Sequence, residues 1–448
     1  MAESRYALPK VPTRAALINE ALNRQLQAID ADIQAGRLTE AAASLNDVVA
    51  AHPSDGRVYM AGWLLANKAG NAEAAYQSAL RAVALAPRAA TAHYCLSQSE
   101  RDRGDIDSAR RSIDAALALA PNNLQFLEAA VNLANAQGDH AARERHLRVA
   151  FAQNEKIPGI RSLVGNALRL QNKFDESEPW FVDAVAFDAD DAYGHAGLAD
   201  VAHHRDQHDK ALTHITEALR VRPTDEGFLY LKTIFSGETP LRQPESMTRK
   251  LFDRYADRFD THLVGALKYR VPQLIAEKVL ALYPERRLNI LDLGCGTGLL
   301  GAYIGLIDGF FVGVDLSMPM LEAAQKHKVY SRLHNVNLLD ALEATDANEY
   351  EVIVAADVFI YVGALETAIT NAFKVLRSGG WLFFSCETAP ADGEYLVLHK
   401  TMRYAHTIAY VKRLLSDAGF AVPAIDEIDL RLEKTEAIPG FLVAVQKP

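Results

Sequence analysis

Cysteine is scarce in this chain: Cys95, Cys295 and Cys386 stand alone among 448 residues. They have no paired spacing and no histidine-rich partner set, which argues against a disulfide framework and against a zinc site. No metal is expected. Long apolar runs are missing as well, since no stretch of 18 apolar residues occurs, so no membrane span and no membrane partner are expected. The first residues, Met1-Ala2-Glu3-Ser4-Arg5-Tyr6, lack the apolar core of a secretion signal, and a cytoplasmic location is the expectation. Positive charge is in deficit, with 47 Lys and Arg against 57 Asp and Glu, a formal net charge of -10. Such a chain lacks the basic face that displaces counterions from phosphates, so a nucleic-acid partner is not expected. Apolar residues, by contrast, make up 49%, enough for packed cores, and the length predicts two or three domains.

The first half repeats itself. Gly36, Gly70, Gly104 and Gly138 lie 34 residues apart, and the register continues to Asn172 and Asp206, which also tolerate left-handed backbone. Pro53, Pro87, Pro121 and Pro223 follow these marks at a fixed offset, with Glu155 and Ala189 in two degenerate copies. Alanines keep phase at 41, 75, 109 and 211, and again at 82, 116, 150, 184 and 218. The period and the small residues resemble the tetratricopeptide repeat. Each unit then reads as two antiparallel helices, with the glycine turning the chain, the alanines letting the helices approach and the proline stopping the second helix. Six units are expected over residues 18–225, with a capping helix at 227–236. A concave solenoid face of this kind grips a peptide or partner protein, with Tyr59, His93, Tyr94 and Arg161 as candidate contacts. Dimerisation or scaffolding is the other reading.

In the second half an apolar strand, Ile290-Leu291-Asp292-Leu293, runs into Gly294-Cys295-Gly296-Thr297-Gly298 and then a helix-like run, Leu299 to Ile304. Glycines at alternate positions suit a chain that turns off a strand with its backbone against a ligand, where a Cβ would occupy ligand space. A second strand, Phe310 to Val314, ends in Asp315, placed to accept hydrogen bonds from both ribose hydroxyls of a nucleotide cofactor. The pattern is G-x-G-x-G preceded by Asp292, where a carboxylate would repel a pyrophosphate but hold a cationic aminoacyl group. These two segments resemble the class I S-adenosylmethionine-dependent methyltransferases, over roughly residues 247–448. Tyr350 to Phe359 and Val375 to Ser385, with Gly379-Gly380, resemble the fourth and fifth strands of that family. The combination resembles a bacterial group that joins repeats to such an enzyme.

The expected architecture is α plus α/β: a repeat solenoid (1–236), a linker (237–246) and a Rossmann-like, seven-stranded methyltransferase domain (247–448). The resemblance implies S-adenosylmethionine as cofactor and S-adenosylhomocysteine as product, held by Asp292, Gly294, Cys295, Gly296, Gly298, Asp315, Leu316, Met320, Leu338 and Ala356. In relatives an acid after the third strand bonds the adenine amino group; here Asn337 or Asp340 fills that role. Phe252, Tyr255 and Phe259 share a helix face. That stripe reads as core or, by resemblance to the leading helix of ubiquinone- and biotin-pathway enzymes, as a lid over the cofactor with Tyr255 in contact and His262 beside it. Asp357, Phe359 and Tyr361 are expected where methyl donor meets acceptor. A helix carrying His399, Arg403, Tyr404, His406 and Tyr410 is expected to follow Glu387. In it Arg403 would pair with an acceptor carboxylate or phosphate, and His406, Tyr404 or Asp357 would remove a proton, unless these are surface residues. The segments 426–433 and 441–445 read as a terminal hairpin around Pro439-Gly440. The expected activity is methyl transfer to O, N or C of a peptide, protein or carrier-bound acceptor recruited by the repeats. The alternative is a small-molecule acceptor, with repeats serving a homodimer or assembly.

Overall fold

The computed structural model describes residues 14–255, 268–390, 395–399, 401–433 and 436–448. The chain divides into two compact units, Met1–Gly197 and Leu198–Pro448.

The first unit is built of helix pairs with the 34-residue period. Arg14–Gln34 pairs with Leu38–Ala51, Gly56–Lys68 with Ala72–Leu85, Ala90–Asp102 with Ile106–Leu119, Leu124–Ala136 with His140–Gln153, and Ile160–Arg169 with Phe174–Phe187. Each pair turns at its predicted mark: φ is 77° at Gly36, 71° at Gly70, 80° at Gly104, 66° at Gly138 and 59° at Asn172. Only residues that accept left-handed backbone serve there. The following residue then caps the second helix in three pairs, Asn71, Asp105 and Asp139 each accepting from a backbone N–H three residues on. Pro53, Pro87 and Pro121 come two residues after the helices ending at Ala51, Leu85 and Leu119. The phased alanines at 41, 75, 109, 82, 116, 150 and 184 are all buried, as close helix packing requires.

The sixth pair, Ala192–His204 and His208–Val221, spans the division, with Asp206 at φ 57° as its turn. The second unit therefore begins inside the repeat pattern and includes the last helix, Glu226–Phe235. Residues 237–246, expected as a linker, are bonded into this unit. Leu241 accepts from the Ala364 N–H at 2.8 Å, Arg242 bridges to Val362, and the Gln243 side-chain amide donates to the Met402 carbonyl.

The sheet of the second unit has strands β1 (Ile290–Leu293), β2 (Phe311–Asp315), β3 (Arg332–Asn335), β4 (Tyr350–Ala355), β5 (Leu376–Thr388), β6 (Leu396–Leu398), β7 (Tyr404–His406), β8 (Ala424–Glu433) and β9 (Glu436–Gln446). Their order is β3-β2-β1-β4-β5-β7-β6, with β9 antiparallel to both β5 and β8. Strands β1 to β5 are mutually parallel; β1, β2 and β4 are largely buried on both faces, whereas β3, at the edge, is mostly exposed. Alternate residues supply two apolar layers. Leu291, Leu293, Ile353, Ala355, Leu382 and Phe384 face one, and Ile290, Val352, Val354 and Phe383 the other.

Three expectations are corrected. The described residues hold nine strands rather than seven, because β6 and β7 form an extra short hairpin whose second strand runs parallel to the end of β5. That hairpin occupies the place of the expected helix. The chain reverses between His399 and Arg403, with Met402 at φ 61°, and Tyr404, Ala405 and His406 are buried as a strand paired with β5 and β6. The helix begins only at Ile408, capped by Thr407, and carries Tyr410 alone of the five. Finally, the β8–β9 hairpin reverses between Glu433 and Glu436, so Pro439 and Gly440 lie within β9, where the pairing with β8 shifts between Asp429 and Arg431.

Candidate active site

The carboxyl ends of β3, β2, β1 and β4 open into one cavity of 550 Å³, the place where doubly wound sheets bind ligands. At β1 the glycine turn lines it: Gly294 and Gly296 hold φ of 64° and 54°, and a Cβ at Gly294 would stand 2.7 Å from the Val358 side chain. Asp315, closing β2, is fixed in two directions. Its Oδ2 accepts from the Gly296 N–H at 2.9 Å and its Oδ1 from the Ser317 N–H at 2.8 Å. Burial raises its carboxyl above the ordinary range, partly offset by those amides. Leu316, Val336, Asn337 and Leu338 continue the wall. The helix Glu245–Tyr255 covers it through Leu251 and Phe252, the Phe252 ring meeting Tyr361 edge-on at 5.3 Å. Tyr255 ends that helix, but its side chain lies outside the described residues, as do Phe259 and His262.

The far end is ionic. Ser385 receives the Asp357 N–H at 2.8 Å and returns its hydroxyl to Asp357 Oδ1 at 2.7 Å, which holds Asp357 at φ 54°. Arg431 binds the other oxygen, Oδ2, at 2.9 Å and also reaches Glu387 and Glu433. Arg403 pairs with the same two glutamates, at 2.9 Å and 2.5 Å. Asp357, Arg403, Arg431 and Glu433 line the cavity with Tyr361 and Tyr269. Burial raises the Asp357 carboxyl against the pull of Arg431 and pushes the Tyr361 hydroxyl up to about 12. Both arginines are thus bridged by carboxylates, and an acceptor anion would reach Arg403 only by displacing Glu387 or Glu433.

Of the residues singled out from sequence, Gly294, Gly296, Asp315, Leu316, Asn337, Leu338, Ala356, Asp357, Tyr361 and Arg403 share this cavity. Others do not line it. Asp292 is buried on β1 and accepts the Tyr330 hydroxyl at 2.7 Å, burial pushing its carboxyl up to about 7. Cys295, Gly298 and Met320 lie outside its lining: burial raises the Cys295 thiol, Gly298 begins the helix Leu299–Ile304, and Met320 is fully buried. Asp340 is exposed, and Phe359 belongs to the core. Tyr404 is fully buried with its hydroxyl 3.4 Å from that of Tyr230. His406 is buried too, its Nε2 2.7 Å from the Gly363 carbonyl, and burial depresses its pKa to about 4. A ring held neutral in the core is not a base facing this cavity. Arg431, Glu433, Gln243 and Glu245 were not singled out by sequence reading. The alternation Leu430-Arg431-Leu432-Glu433 in a predicted hairpin was the signal available for two of them.

Residues 291–382 match the model of a family described as "Methyltransferase domain". Residues 291–382 are a methyltransferase domain. The class I fold expected from the glycine turn and Asp315 is the fold observed, and with it goes S-adenosylmethionine as cofactor. The chain is 29% identical over 124 residues to the ubiquinone biosynthesis O-methyltransferase of Hydrogenovibrio crunogenus, covering 27% of this chain and 51% of that protein. It is 27% identical over 165 residues to the malonyl-[acyl-carrier protein] O-methyltransferase of Priestia megaterium, covering 36% and 57%. Among solved structures, YrrB, a TPR protein with an unusual peptide-binding site, is similar at a TM-score of 0.39 and 18% identity, covering 42% of this chain and 97% of that one. The chain spans about half the length of the curated relatives it matches. No helix among the described residues is long and apolar enough to cross a membrane, and no group of three or more His, Cys, Asp or Glu side chains there is arranged to hold a metal ion.

Proposed function

We propose that this chain transfers a methyl group from S-adenosylmethionine to an acceptor bound between Asp357, Tyr361 and the two arginines. The observation that carries this reading is a single cavity with Gly294, Gly296 and Asp315 at one side and the Asp357–Arg431 pair at the other. The cofactor supplies a methyl already activated on a sulfonium, so the protein's part is to bind, orient and exclude water. Gly294 and Gly296 let the backbone approach, Asp315 accepts from the ribose, and Leu251 and Phe252 shield the cavity. Asp357, whose carboxyl burial raises, takes a proton from an acceptor that arrives protonated. Oxygen is the acceptor atom favoured by the printed activities of the relatives, both O-methyltransferases.

The acceptor is read as a peptide, protein or carrier-bound group recruited by the repeats in the cytoplasm. A small-molecule acceptor, with the repeats serving dimerisation or assembly, is the alternative. Calorimetry tests the cofactor site: S-adenosylhomocysteine should bind the parent, and Asp315→Ala should weaken it about tenfold or more, the loss expected when a charged hydrogen-bond acceptor is removed. Unchanged affinity in a folded variant would refute the assignment. Screening acceptors with labelled cofactor, using the full chain beside residues 190–448, separates the two acceptor readings. The cut belongs between the helices Phe174–Phe187 and Ala192–His204, which keeps the sixth pair whole, because cutting at 236 would remove Tyr230, whose hydroxyl lies 3.4 Å from that of Tyr404. Turnover retained without the preceding pairs would favour the small-molecule reading.

A further inference from the structure

The parallel strands step across the cavity floor in the order β3-β2-β1-β4, neighbours being roughly 4.8 Å apart. If Asp315 at the end of β2 holds the ribose and the transferred methyl lies toward Asp357 at the end of β4, the base must extend the other way, over the end of β3. This step rests on the cofactor reading above. The wall there has Val336, Leu338 and Leu339 for the flat faces of a ring and two polar groups for its edge, Asn337 and Glu245.

Hydrogen bonding fixes how those two present themselves. Asn337 Oδ1 accepts from the Leu339 N–H at 2.7 Å, so its amide nitrogen must face the other way, where it donates to Glu245 Oε1 at 2.7 Å. The second carboxylate oxygen of Glu245, Oε2, lies 3.9 Å from the Arg249 guanidinium, a loose ion pair that leaves it able to accept from a ligand, and the second N–H of the Asn337 amide has no acceptor among the described residues. The Watson–Crick edge of adenine offers the complement, an amino donor beside a ring-nitrogen acceptor. Asp340, the other acid near the end of β3, is exposed and does not line the cavity.

We infer that Glu245 and Asn337 together form the adenine-edge subsite, Glu245 accepting from the exocyclic amine and the Asn337 amide donating to the ring nitrogen. The carboxylate comes from the segment ahead of the sheet, 47 residues before Asp292 in sequence, and sits on the covering helix, so the helix that shields the cavity also reads the base.

Calorimetry on the full chain tests this with two probes, S-adenosylhomocysteine and S-inosylhomocysteine, in which a carbonyl replaces the amine and the ring nitrogen becomes a donor. The parent should prefer the adenine compound by roughly tenfold or more, the scale of a hydrogen bond to a charged group. Glu245→Gln should lose a similar factor for S-adenosylhomocysteine and narrow or reverse the preference, since an amide can donate to the carbonyl. Asp340→Asn should bind both as the parent does. A Glu245→Gln protein with the parent's affinity and base preference would overturn the subsite while leaving the cofactor reading intact, as would loss of preference in Asp340→Asn instead. Absence of any S-adenosylhomocysteine binding to the parent would overturn both. A merely structural role for Glu245 would lower both affinities alike and leave the preference where it was, which also counts against the subsite.

Discussion

Replacing Arg431 by methionine should unfold the methyltransferase unit more readily, and by an amount that depends on pH. Arg431 is only 6% exposed at its side chain, and its partners Asp357 and Glu387 are 10% and 5% exposed. Methionine keeps much of the length and loses the charge. Among the described residues, Glu387 retains Arg403 at 2.9 Å, whereas the Asp357 carboxyl retains the Ser385 hydroxyl alone. Breaking a buried pair from one side costs roughly 3–5 kcal/mol, because the remaining charge is uncompensated. Protonation of Asp357 caps that cost. Neutralising a carboxyl whose ordinary pKa is about 3.9 takes roughly 4 kcal/mol at pH 7 and about 1.5 kcal/mol at pH 5, at 1.36 kcal/mol per pH unit. The sign follows from the raised pKa of Asp357 in the fold: such an acid favours folding while protonated, and that contribution is lost as pH rises through its folded value. The variant, lacking the cation that opposes the rise, should therefore lose about 4 kcal/mol at pH 7 and about 1.5 kcal/mol at pH 5. Urea unfolding followed at Trp381, in a background with Trp63→Phe and Trp180→Phe, reads this unit alone. A deficit below about 1 kcal/mol at pH 7, or one equal at both pH values, would refute the reasoning.

Ala116→Leu should overpack the helix pair ending at Leu119, where Ala116 has no exposed surface, and cost the first unit roughly 1–3 kcal/mol. Calorimetric melting should move while S-adenosylhomocysteine affinity stays as in the parent, and an unmoved melt would sink the packing register. His406, held neutral in the core with its pKa depressed to about 4, contributes stability that is full above its unfolded value near 6.5 and fades as pH falls toward 4, up to roughly 3 kcal/mol. His406→Phe should lower stability at neutral pH yet erase that acid limb between pH 6.5 and 4; a limb that persists in urea titrations would show that another group is responsible.

The repeat register was readable from sequence because each mark answers a local backbone demand. A left-handed turn admits Gly, Asn or Asp whatever packs nearby, and Gly36 through Asp206 meet it in every copy. The glycine turn after β1 and Asp315 were readable for the same reason, being adjacent along the chain to the strand ends that place them. Tyr404 and His406 misled because tyrosines, histidines and an arginine close in sequence suggested one functional helix. The reversal at Met402 instead puts them in a three-residue strand whose neighbours bury every side. No spacing rule marks Met402, which takes a left-handed φ that a methionine seldom adopts.

Arg431 shows why the ionic end of the cavity was harder still. It follows Asp357 by 74 residues, on a strand that is mostly exposed until Leu430. The pairing shift between Asp429 and Arg431 adds a residue to one side of the hairpin, and a slip of one residue exchanges the faces of a strand. Beyond the shift Arg431 is buried against Asp357 and Glu387 rather than solvated. A two-residue alternation assigns the face of a charge correctly only while the register is uninterrupted. At this bulge the interruption itself delivers the guanidinium, so the feature that hid Arg431 from the sequence pattern is the one that carries it to Asp357.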